Sequence, residues 1–121
     1  MSNHDEILAV IHTYFESIYT GNADGLRSIF HSAANVTDNV QGRLRVRTAE
    51  EYILGVASRR SPQALGEARV MYAITVEVLD GVASVSARLE MLGQRYFNVL
   101  SLLRQGERWI IVHKLFGNVA S

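Results

Sequence analysis

The sequence predicts an α+β fold, with helices from its N-terminal half packed on a curved antiparallel sheet from its C-terminal half. Three observations point there. Apolar residues recur at helical spacing only before Gly66. From Val70 onward they alternate with a period of two. Asp80-Gly81, Gly93-Gln94 and Gln105-Gly106 then punctuate the second half at hairpin intervals.

The first helix rests on Ile7, Val10, Ile11, Tyr14, Phe15, Ile18 and Tyr19, which form one broad apolar stripe. Asn3 is placed to cap it, with Glu6 three residues on as in a capping box, and Gly21 to end it. His12 and Glu16 lie one turn apart on its other face, as a solvated pair would. A short second helix follows, capped by Asn22 and burying Leu26, Ile29 and Phe30. From His31 to Asn39 no helical period survives, and Asn35, Thr37, Asp38 and Asn39 read as a loop with room for a short strand. Arg43, Arg45 and Arg47 alternate with Leu44 and Val46, the pattern of an edge strand with one wet face. Thr48 and Glu51 form a second capping box, opening a third helix that buries Tyr52, Ile53, Val56 and Ala57. The spacing predicts helices over 4–20, 23–30 and 48–58, and strands over 69–79, 82–92, 95–104 and 108–116. The last two strands are apolar on both faces, which suits the middle of a doubly covered sheet. Helices cover one face, and a second copy of the chain is the simple cover for the other, so a homodimer is expected.

At 121 residues the chain fits a single domain, 1–121, and at 48% hydrophobic it has the material for a full core. A formal net charge of zero argues against an electrostatic grip on nucleic acid or an anionic membrane. The absence of cysteine excludes disulfides, thiolate metal sites and a cysteine nucleophile. Eleven of the twelve basic residues are Arg, and Lys114 is the one Lys. The opening Met1-Ser2-Asn3-His4-Asp5-Glu6 is polar and acidic, unlike a secretory leader, and no apolar run approaches a membrane span. A cytoplasmic protein is expected, with no membrane or nucleic-acid partner.

The order of elements, helix, short helix, polar segment, helix and four-stranded meander, resembles the cone-shaped nuclear transport factor 2-like superfamily. Tyr19-Thr20-Gly21-Asn22-Ala23-Asp24 is similar to the family's first-helix exit, and Leu26 through Phe30-His31 to its short second helix. Gly106-Glu107-Arg108-Trp109-Ile110-Ile111-Val112-His113-Lys114-Leu115-Phe116 resembles the closing strand of its putative lumazine-binding branch. The resemblance implies a conical half-barrel with a pocket between the helices and the sheet. Relatives with that fold include steroid isomerases, polyketide cyclases and dehydratases, but also non-catalytic transport and assembly domains, so the fold does not choose among them.

No nucleotide-binding glycine loop, nucleophile elbow or paired-histidine motif occurs, and the four histidines are scattered, so neither a cofactor nor a metal is expected. Histidine is a common general acid or base, and His113 shares a strand face with Trp109, Ile111 and Leu115; the plainer alternative is a structural histidine in the core or at a dimer seam. In the catalytic relatives an acid near the position of Asp38 can act as base; the plainer alternative is a turn-forming residue. Tyr14, Tyr52 and Tyr96 sit among apolar neighbours, where a phenol can steady an oxyanion or simply pack its ring. Asn98 interrupts an apolar strand and needs hydrogen-bond partners if it faces inward. Arg43, Arg45 and Arg47 can grip an anion or line a solvated edge. The site expected is thus Tyr14, Tyr52 and Asn98 around a small hydrophobic ligand, with Asp38 and His113 for proton transfer. A non-catalytic dimerising domain is the alternative.

Overall fold

The structure is a computed structural model, described over residues 2–119. Helix α1 spans Asn3–Thr20, and Ile7, Tyr14 and Ile18 on its inner face are completely buried. Removing each such side chain from water contributes about 1.5–3 kcal/mol. Ser2, not Asn3, is the cap: its Oγ accepts from the Asp5 amide at 3.1 Å. Serine caps as well as asparagine does, and Asn3 is engaged elsewhere, its Oδ1 accepting from Arg104 Nη1 at 2.7 Å. Gly21 ends the helix in the left-handed region, φ 73°. Glu16 pairs with Arg69 across to the meander instead of with His12.

Helix α2 spans Ala23–Ile29, with the Asn22 side chain accepting from the Gly25 amide at 3.0 Å. It runs straight into strand β1, Phe30–Val40. The segment expected to be mostly loop is therefore an eleven-residue strand. Its polar residues are accommodated because the strand is interior: it pairs antiparallel with β2, Arg43–Thr48, and parallel with β6, Arg108–Asn118. Helix α3, Ala49–Ser58, opens on the expected capping box. The Glu51 amide donates to Thr48 Oγ1 at 3.1 Å and the Thr48 amide to Glu51 Oε1 at 2.9 Å.

Strands β3, Val70–Leu79, β4, Val82–Met91, and β5, Gln94–Gln105, complete one six-stranded sheet in the order β2-β1-β6-β5-β4-β3. Every pairing except β1–β6 is antiparallel. Ala83, Val85, Ala87, Leu89 and Met91 alternate inward against the helices, as their spacing predicts. The second hairpin turns on Leu92-Gly93, φ 53° and 76°, one residue earlier than Gly93-Gln94. The Glu67 carboxylate fixes it there by accepting the Leu92 amide at 2.9 and 3.1 Å. Register shifts in the β3–β4 pairing, between Ala73 and Thr75, and in the β5–β6 pairing, between Ser101 and Leu102, bend the sheet. No helix among the described residues is long and apolar enough to cross a membrane.

Candidate functional site

Between α3 and the ends of β1, β2, β5 and β6 lies a cavity of about 430 Å³, a volume within the usual range for small-molecule sites. What faces it is decided by one extra residue. Ser101 pairs with His113 but Leu102 pairs with Ile111, so Val112 is bulged out of the β6 ladder. Upstream of the bulge Trp109 and Ile111 point at the helices; downstream the parity inverts, and Lys114 and Phe116 point inward. His113, expected on the face of Trp109 and Ile111, instead shares the opposite, open face with Leu115, where its Nε2 lies 3.1 Å from Thr37 Oγ1. It does not line the cavity.

Lys114 is only 4% exposed. Its Nζ donates to Tyr52 Oη at 2.6 Å and stands 4.2, 4.7 and 5.2 Å from the ring centres of Tyr52, Phe116 and Tyr14. Burial pushes the Lys114 amine well below the ordinary lysine range, and the nearby Arg59 and Arg47 guanidinium groups push the same way against a smaller pull from Asp38. Burial raises the Tyr52 phenol to about 12 and the Tyr14 phenol well above its usual value, so both remain protonated at neutral pH. Tyr14 lies behind the cavity wall and donates a short hydrogen bond to Asn98 Oδ1. Asn98 itself is buried and faces the cavity, so its inward carboxamide has the partner it requires.

The Arg-bearing face of β2 is the face turned to the cavity, because Arg45 and Arg47 pair across from Asp38 and Val36 on the inward side of β1. Leu44 and Val46 are the residues left outside, 78% and 56% exposed. The wet face of the alternation thus lies inside the cone. Arg45 holds Asp38 in a two-pronged bridge, Nε to Oδ1 at 2.8 Å and Nη2 to Oδ2 at 2.7 Å. Asp38 is the only acid among the described residues that line the cavity, and this bridge occupies it. Arg47 and Arg59, which also line the cavity, have no such partner among the described residues. Arg47 Nε and Arg59 Nε and Nη2 are buried without an acceptor from the described residues. Burial and the neighbouring Arg45 lower the Arg47 pKa, yet a guanidinium stays charged at neutral pH.

The structure therefore gathers Tyr52, Asn98 and Asp38 at the cavity, with Tyr14 one contact behind, and puts His113 on the other side of the sheet. Sequence reasoning missed Lys114 and Arg59. The signal for Lys114 was present: it is the chain's one lysine, set in an otherwise apolar strand end. Arg59 follows α3 with nothing local to mark it. Among the described residues no cluster of three His, Asp or Glu side chains could hold a metal ion.

A conical sheet wrapped on three helices around such a cavity defines a nuclear transport factor 2-like fold. Solved proteins bear this out: an NTF2-like protein of unknown function from Silicibacter pomeroyi superposes with a TM-score of 0.87 at 19% identity, over 98% of this chain and 100% of that one. Another from Shewanella baltica gives 0.85 at 17%, over 100% and 99%, and one from Methylobacillus flagellatus 0.86 at 18%, over 99% and 96%. At these identities the likeness carries the fold alone. A family profile described as putative lumazine-binding matches residues 2–117, and the chain belongs to that family. No curated protein matches it.

Proposed function

We propose that this protein binds a small anion with an apolar or aromatic body in the cone. The observation that carries the reading is that Arg47 and Arg59, turned into the cavity, bury guanidinium nitrogens without an acceptor among the described residues, while the one carboxylate those residues place there, Asp38, is already bridged by Arg45. Buried charged donors without acceptors are costly, and a carboxylate or phosphate supplies what they lack. Met91, Tyr96, Val56 and Phe116 offer the ligand's body an apolar wall, with Asn98 and Tyr52 as neutral polar contacts. Asp38 then serves to hold Arg45, and any proton transfer falls to the Lys114–Tyr52 pair rather than to His113.

Calorimetric titration with naphthoate and with naphthamide tests this. Naphthoate is expected to bind and the isosteric amide to bind far more weakly. Arg47→Gln and Arg59→Gln are each expected to weaken naphthoate by about ten- to hundredfold, the worth of a charge-assisted hydrogen bond. Equal binding of acid and amide would sink the reading.

A homodimer is compatible with a pocket, and we infer one through the open face of the sheet. Leu44, Val46, Phe97, Leu103 and Leu115 stand exposed there, and a partner copy would cover them.

A further inference from the structure

We infer that Lys114 is a Schiff-base lysine for small oxo acids, its amine taking the substrate carbonyl while Arg47 and Arg59 hold the carboxylate. The inference rests on the anion-binding reading above and adds a covalent step to it. Its basis is geometric. Lys114 Nζ and Arg47 Cζ stand 4.2 and 5.5 Å from the centre of the same Tyr52 ring. Both residues line the cavity, as do Arg59 and Tyr52. Among the described residues no carboxylate lies within ion-pair distance of Lys114, whose Nζ meets a phenol and three aromatic rings.

An amine so placed is the form of lysine that attacks carbonyls. An ordinary lysine is protonated at neutral pH and has no free lone pair. Desolvation and adjacent cations favour the neutral amine, a recognised way to activate a lysine nucleophile. The groups facing Nζ all bear on this. Arg47 from β2 and Arg59 beyond α3 disfavour the ammonium, Asp38 from β1 favours it weakly, and Tyr14 and Tyr52 from α1 and α3 are neutral.

The step balances within the site. The Nζ lone pair forms a bond to the carbonyl carbon, and a proton passes from nitrogen to the carbonyl oxygen, giving a carbinolamine. The carbon–oxygen bond then breaks and the carbon–nitrogen double bond forms. The carbonyl oxygen leaves as water with the two protons that began on the amine. Tyr52 Oη, in hydrogen-bond contact with Nζ, is positioned to take one proton from nitrogen and return one to the departing oxygen. Its phenol, raised to about 12, acts here as a neutral relay.

The chain suits a clean test, because Lys114 is its only lysine and the terminal α-amine is the only other primary amine. Intact protein is incubated with pyruvate and cyanoborohydride near neutral pH, and the reduced adduct is located by peptide mass mapping. Calorimetry with pyruvate and with propionate, which lacks the carbonyl, runs alongside. The expected result is an adduct at Lys114 that forms on the order of tenfold or more faster than in the urea-unfolded chain, reflecting the larger neutral fraction of the buried amine. Tyr52→Phe is expected to slow it while the protein stays folded, and Arg47→Gln to lower its yield at subsaturating pyruvate. Lys114→Met is expected to abolish it; because that variant could fold poorly, the two milder variants carry the test independently. Binding of both acids with no adduct at Lys114 overturns the Schiff base and leaves the anion reading standing. Binding of neither acid, with no adduct, overturns the Schiff base, and the anion reading falls with it only if naphthoate also fails to bind. An adduct confined to the α-amine, or equal in rate to that of the unfolded chain, overturns the Schiff base.

Discussion

Replacing Lys114 by Met isolates the energetic consequence of burying this amine. The folded-state pKa lies well below the ordinary value near 10.4, chiefly through desolvation, with Arg59 and Arg47 adding to it. Between those two pKa values the unfolded chain holds a proton that the folded chain lacks. Stability must then rise with pH across that interval, by up to about 1.4 kcal/mol per pH unit for one proton. Below the folded pKa the penalty is fully present and constant; above about 10.4 it is gone. Met removes the titration while keeping an unbranched chain of similar length. It also loses the hydrogen bond to Tyr52, about 0.5–1.5 kcal/mol, but that offset does not vary with pH. The raised Tyr14 and Tyr52 phenols act in the opposite direction only above about pH 10. Urea unfolding of both proteins from about pH 7.5 to about pH 9.5 avoids the usual histidine and tyrosine ranges. The stability of wild type minus that of Lys114→Met should climb over this interval, by as much as about 2–3 kcal/mol in total. A flat difference would refute the reasoning, because it would mean that Lys114 titrates alike in folded and unfolded chains.

Other perturbations probe the surroundings of the site. Tyr14→Phe leaves Asn98 Oδ1 buried without its donor and should cost about 1–3 kcal/mol in denaturant unfolding, with little change in the unfolding slope. Gly25→Ala places a Cβ 2.2 Å from Ser17 Oγ and should lower the melting temperature, an effect that Ser17→Ala in the same chain should partly relieve. Leu115→Asp on the open face should shift the species seen by light scattering toward monomer while naphthoate binding persists; an unchanged mass would remove that face from the interface.

The helices and the meander were readable because their residues serve one purpose each. The stripe from Ile7 to Ile18 and the alternation from Ala83 to Met91 point at one core, so burial and periodicity agree. Strand β1 was hidden because Asn35, Thr37, Asp38 and Asn39 carry turn-like chemistry, while what makes them a strand is pairing with β2 and with the distant β6. The alternation of β2 correctly grouped Arg45 with Arg47, but alternation cannot say which face is wet; here the interior of the cone is the polar side. The hardest feature was the bulge. Ile110-Ile111-Val112 is uniformly apolar, with no glycine or proline to mark an inserted residue, so counting by two ran through it and carried His113 inward in place of Lys114. Tyr52 could be placed inward from the apolar face of α3, and Asn98 from its need for hydrogen-bond partners in an apolar strand, and neither inference depends on the register of β6.

The claim at the centre of this account is that Arg47 and Arg59 form an anion site inside the cone. Arginine Nε–H groups give their own nitrogen-15 resonances, and single Arg47→Gln and Arg59→Gln variants assign the two in question. On titration with naphthoate those two resonances should move together and saturate along one binding curve, while naphthamide leaves them in place. An anion site at Arg47 and Arg59 is contradicted if they stay still as exposed arginines such as Arg43 and Arg95 shift, or if acid and amide move them alike.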